Sequence, residues 1–158
     1  MEIKKIAKNS FNFAINRIIQ IIGISISISG LLLLISLLSY SPEDPNFIFP
    51  DNTKIKNILG FQGSFISDIF FQSFGLISLL IPFSFIFTGS NIFFKKKLLL
   101  IIESLFFTII YSLFGSLFFS YFYPNAFKLY INGNGGFIGK FLDSTFLKSL
   151  INFNTCLL

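Results

Sequence analysis

Three stretches of this 158-residue chain carry no charge at all: 18–38, 69–94 and 104–127, of 21, 26 and 24 residues. As helices, at about 1.5 Å per residue, each is long enough to cross the roughly 30 Å hydrocarbon core of a bilayer. A soluble fold would have to bury three helices that are apolar all round with little polar surface to cover them. With 53% hydrophobic residues and a mean hydropathy of +0.78, the chain has no such cover. The alternation GISISISG at 23–30 has the period of a strand. In lipid, however, an open strand edge leaves backbone groups unpaired, so the stretch reads as helix.

The expectation is an all-α membrane protein. A basic amino-terminal segment, 1–17, precedes a membrane domain, 18–158. That domain holds three full transmembrane helices at about 18–39, 64–94 and 98–123, loops at 40–63 and 124–150, an interfacial amphipathic helix, and the start of a fourth transmembrane helix at 151–158. The first run is too long for a signal-peptide core and lacks a small-residue cleavage site, so it reads as a retained anchor.

Charge sets the expected orientation. The net +5 is concentrated where spans end: Lys4, Lys5, Lys8 and Arg17 before the first, and Lys95, Lys96 and Lys97 between the second and third. Short basic clusters tied to spans are topogenic and place those ends in the cytoplasm and the two loops in the periplasm. They do not form a patch able to track phosphates, so direct nucleic-acid contact is not expected. With no His, one Cys (Cys156) and one Met, the usual acid–base, nucleophile and soft-metal groups are missing. No catalytic, cofactor-binding or metal-binding residue is assigned.

Helix-packing signals are plentiful. Gly23, Ser27 and Gly30 share one small-residue face of the first helix, and Ser104, Thr108, Ser112, Ser116 and Ser120, with Gly115 beside them, make a ridge with a spacing of four on the third. The ridge is read as a helix contact in preference to a pore lining. Pro82, in the middle of the second run, predicts a kink there, with Ser78 satisfying the freed backbone group. Asp68 reads as an interfacial carboxylate near the start of that helix, the alternative being an ion-pathway group. Glu103 is placed to snorkel toward the lysine cluster. Residues 137–150 mix Lys140, Asp143 and Lys148 with apolar side chains, a pattern suited to lying in the outer interface.

One motif needs rejecting. Residues 134–141, NGGFIGKF, approximate a Walker A loop but carry Asn134 at the first glycine position and Phe141 where a magnesium-binding Ser or Thr belongs. A preceding buried strand is also lacking. The uncharged residues from Ser149 onward are too few to span, so the chain reads as stopping at the threshold of a fourth helix.

Three segments taken in order carry a family resemblance: 37–45 (LLSYSPEDP), 57–75 (NILGFQGSFISDIFFQSFG) and 135–139 (GGFIG). The S-Y-S-P-x-D-P stretch and the Asn57, Gly60, Gly63, Asp68, Gly75 series are its specific parts. Together they resemble the amino-terminal four-helix membrane domain of FtsK/SpoIIIE-type DNA translocases. The resemblance implies a bacterial inner-membrane anchor at the division septum, partnered by lipid, by other division proteins and by further copies of itself, with a hexamer as the implied assembly. It also implies a separate ATP-driven motor domain, no residue of which can be assigned to positions 1–158. The alternatives are a channel or carrier subunit and a non-catalytic membrane scaffold.

Overall fold

The structure, a computed structural model, describes residues 2–45, 54–124 and 132–147, and the side chains of 8–45, 54–124 and 132–145. The elements are α1 (Glu2–Leu38), α2 (Gly60–Phe74), a 3-10 segment (Gly75–Leu80), α3 (Ile81–Lys95), α4 (Leu100–Phe122) and α5 (Gly136–Leu142), followed by a π turn (Asp143–Leu147). No strand occurs among the described residues. Three helical segments are long and apolar enough to cross a membrane: Lys8–Leu38, Gly60–Lys95 and Leu100–Phe122. The expected start of a fourth helix, 151–158, lies outside the described residues.

Helix α1 begins well before the first apolar run. No Gly or Pro interrupts 2–22, and Arg17 links turns by bonding Gln20 Oε1 at 3.0 Å and covering the Phe13 ring at 4.9 Å. The basic segment expected at 1–17 is therefore, from Glu2, helical and continuous with the span.

The main helix pair is α1 with α3, and small residues set its spacing. A Cβ on Gly23 would lie 2.7 Å from the Gly89 carbonyl oxygen, and one on Gly30 would lie 2.9 Å from that of Pro82. Between them the Ser27 hydroxyl donates to Ile86 O at 3.3 Å. Lipid tails are as apolar as leucine, so association in a bilayer depends on this close packing rather than on escape from water. A small core of Leu33, Leu37, Phe71 and Ile81 closes one end of the pair.

The expected continuous helix 64–94 is instead broken, and not at Pro82. α2 ends at Gly75, whose φ of +68° suits glycine, and six residues of 3-10 helix lead into α3. Pro82 sits in the first turn of α3, where its missing N–H removes no helical bond. Ser78 also acts differently from expectation: its hydroxyl donates to Gly75 O at 2.7 Å, while Ser78 O accepts from the Ile81 amide.

Helix α4 turns its serine ridge inward. Thr108, Ser112 and Ser116 are buried, Ser104 bonds Thr88 of α3, and the Ser116 hydroxyl donates to Phe74 O at 3.0 Å. The opposite face, with Phe106, Phe107 and Phe114, is exposed.

Candidate functional site: a polar clamp across one end of the bundle

Polar residues of the 37–45 and 57–75 segments, among them Tyr40, Asp44, Asn57, Ser64 and Asp68, converge on one end of the bundle, opposite Lys95–Lys97. Asp44 is only 4% exposed, and its two carboxylate oxygens accept from the amides of Lys56 and Asn57, each at 2.8 Å. Asn57 then reaches α1, donating from Nδ2 to Ser36 O at 2.9 Å, while its Oδ1 accepts from the Leu59 amide at 3.0 Å. The Ser36 hydroxyl answers by donating to Gly63 O at 2.6 Å. Gly63 is required because a Cβ there would strike the Asn57 side chain.

A second chain of bonds crosses α2. Tyr40 donates to Asp68 Oδ1 at 3.2 Å, and Gln72 approaches the same oxygen at 3.5 Å. Asn132 donates to Gln72 Oε1 at 3.0 Å. Asp68 is thus a buried carboxylate held by neutral donors at the end of the bundle, away from its middle. The clamp's exposed edge carries a Glu43–Lys56 ion pair. The Lys56 ammonium, by hydrogen bond and charge, holds the Glu43 carboxyl below its usual range, and Glu43 raises Lys56 in return.

The glycine turn that approximates a Walker loop completes the clamp. Asn134, fully buried, accepts from the Leu76 amide through its carbonyl at 2.9 Å and donates from its side chain to Tyr123 O. Gly135 and Gly139 rest on Ser116 and Ser120 of α4, and a Cβ on Gly136 would lie 2.6 Å from the Gly75 amide nitrogen. The turn is packed against its own bundle, and the amides of Gly136 and Gly139 are bonded to the Gly133 and Gly135 carbonyls. Phe137, Lys140 and Phe141 are on the exposed side of α5, the two rings 6.3 Å apart. Among the described residues no three His, Cys, Asp or Glu side chains come close enough to share a metal ion.

Sequence reasoning found the small-residue faces and the serine ridge but missed Asn132 and Asn134 as clamp members. An asparagine on each side of Gly133 was their available signal. Glu103, expected near the lysine cluster, is exposed and makes no ion pair among the described residues.

Comparison with known proteins matches residues 16–158 to the family described as the 4TM region of DNA translocase FtsK/SpoIIIE. Similar proteins include the DNA translocase FtsK of Rickettsia prowazekii (strain Madrid E), 32% identical over 87 residues, or 53% of this chain and 12% of that protein. The DNA translocase FtsK of Rickettsia bellii (strain RML369-C) is 34% identical over 74 residues, 47% of this chain and 10% of its own length. That of Rickettsia typhi (strain ATCC VR-144 / Wilmington) is 36% identical over 64 residues, 40% and 9%. The matched segments thus span about a tenth of these curated relatives. No solved structure matches.

Proposed function

The chain belongs to the family of the 4TM region of DNA translocase FtsK/SpoIIIE, and from that premise we propose that it anchors and helps to oligomerise a translocase which couples cell division to chromosome segregation. It is a multi-pass membrane domain of an FtsK-type DNA translocase. Its place in this reading is the bacterial inner membrane at the division septum, with Lys95–Lys97 and the amino terminus in the cytoplasm and the 40–63 and 124–150 loops in the periplasm. The basic clusters at the span ends support that orientation. Further copies of the chain, up to a hexamer, and other septal proteins are its partners, and it contacts no nucleic acid itself.

One observation carries the reading: the polar groups of the clamp bond to one another and to backbone across α1, α2, α4 and the 132–136 turn. Such groups fix helices relative to each other. In this reading ATP hydrolysis belongs to a different part of the translocase. Cysteines at Lys54 and Lys97, with Cys156→Ser, test the orientation: an impermeant maleimide should label intact cells only at the first. A fluorescent fusion should collect at the division site. Uniform distribution around the membrane, or labelling at Lys97 from outside, overturns the reading.

A further inference from the structure

Polar side chains within a membrane span normally face the inside of a bundle or one another. One patch of this protein does neither. A groove of about 270 Å³ on the α3–α4 hairpin, to which α1 contributes nothing, is lined by Ser84, Thr88, Asn91, Glu103, Ser104 and Thr108. Its floor is satisfied internally: Thr88 bonds Ser104 and the Ser84 carbonyl, and the Ser84 hydroxyl meets that of Tyr111 at 2.8 Å. Its rim is not. Asn91 and Glu103 lie within the spanning segments Gly60–Lys95 and Leu100–Phe122, both are exposed, and neither side chain has a partner among the described residues. Glu103 is moreover the one carboxylate described at this end of the bundle, and it pairs with none of Arg17, Lys95, Lys96 and Lys97.

Depth limits which groups of another copy could meet this rim. Copies in one membrane are related by rotation about its normal, so they pair groups that lie at matching depth. The contacts between helices fix the depths: Gly23 faces Gly89, Gln20 bonds Phe93 O, and Thr88 bonds Ser104. Ile21 is therefore level with Asn91, Ser25 with Phe87, and Glu103 with Gly23. Arg17 stands six residues from Gly23, about 9 Å towards the lysine end. An arginine and a glutamate reaching towards each other close that interval.

Arg17, Ile21 and Ser25 are exposed and four apart, so they form one ridge on the outer side of α1. The ridge fits the groove in shape and in charge. Ser25 is small and has already donated its hydroxyl to Ile21 O at 3.0 Å, which permits close approach between the exposed Phe87 and Phe107 rings that wall the groove. Arg17 makes one exposed bond, to Gln20 Oε1, and meets no carboxylate among the described residues. The hairpin face cannot serve as its own partner, because two grooves leave the space between them unfilled and set Glu103 against Glu103. We propose that the α3–α4 groove receives the Arg17–Ile21–Ser25 ridge of a second copy of this chain, whose Arg17 guanidinium pairs with Glu103 and donates to Asn91 Oδ1. Its five donors suffice for both. The proposal rests on the self-association put forward above and gives it a surface. Ridge and groove are different parts of the chain, so the contact is head-to-tail, and repeated by a rotation that closes it makes a ring.

The test uses the full chain in native membranes, with Cys156→Ser and two different tags. Co-expressed copies, one carrying Ile21→Cys and the other Asn91→Cys, should form a mixed-tag disulfide on oxidation in preference to either like pair. Arg17→Glu in every copy should lower its yield about tenfold, as should Glu103→Arg, and the two substitutions together should restore it. Like-pair disulfides in place of the mixed one, or a charge exchange that fails to rescue, would overturn the proposal. Copies that co-purify through their tags yet never join position 21 to position 91 would also overturn it, while leaving self-association intact. Copies that do not co-purify at all would overturn both.

Discussion

Gly23 and Gly89 face each other across the α1–α3 contact, with the carbonyl of each where a Cβ of the other would have to be. The helices are held at this distance by the absence of two side chains. Gly89→Leu should therefore force them apart and cost about 1–3 kcal/mol or more as overpacking. A clear drop in the detergent melting temperature is expected, with a smaller drop for Gly23→Ala. Melting curves unchanged by both substitutions would show that the contact does not hold the bundle.

Ser112 distinguishes packing from polarity. It is 1% exposed on the inner ridge of α4, and its hydroxyl meets no protein partner among the described residues. Ser112→Ala should be close to neutral, because interhelical hydrogen bonds in membranes average only about 0.6 kcal/mol and this one is not made. Ser112→Leu should lose about 1–3 kcal/mol. Detergent denaturation of the two variants side by side checks the order.

Asp44 and Glu43 are neighbours of unequal weight. Removing the Asp44 carboxylate strands two amides, and a buried hydrogen bond to a charged group contributes about 1.5–3 kcal/mol, so Asp44→Ala should destabilise strongly. Glu43→Gln should change little, since its ion pair with Lys56 is exposed. The sign with pH follows from the shifts. Glu43 is depressed, so its small contribution is present above the ordinary carboxylate range and fades as pH falls through the lowered value. Lys56 is raised, so its share fades only as pH rises through a value above that of an ordinary lysine. Acid and base melts of Glu43→Gln against the unaltered chain should converge at both extremes.

Gly75 and Pro82 can be ranked in the same way. Gly75→Ala puts a Cβ at φ +68° and drives it into Asn134, so the joint between α2 and the 3-10 segment should open. Pro82→Ala should be milder, because a first-turn proline breaks no helical bond. Protease sensitivity near residue 75, compared between the two, reads the difference.

The helices were legible in the sequence because lipid leaves a long apolar run no other structure. The faces of α1 and α4 were legible as well, since small residues at spacings of three and four have few other uses in hydrocarbon. Where the second run breaks was not. Proline draws attention as a helix breaker, but Pro82 occupies a position that tolerates it, while Gly75 takes the unusual backbone conformation where the 132–136 turn packs against it and Asn134 O accepts from the neighbouring Leu76 amide. That packing arises between residues sixty positions apart, and no local pattern reports it. The clamp was hidden for the same reason: Asp44, Asn57 and Asn132 look like ordinary loop residues until the fold brings their partners to them.

Gln20 donates to Phe93 O at 3.4 Å, which sets the level at which α3 runs out beside α1. Helix α1 continues without a break for another eighteen residues to Glu2, about 27 Å along its axis. Glu2 is thus carried on a short mast rather than a tether. A fluorophore attached there should stand at a fixed height above the Lys95–Lys97 end, giving a narrow distance distribution in energy-transfer measurements where a flexible leader would give a broad one.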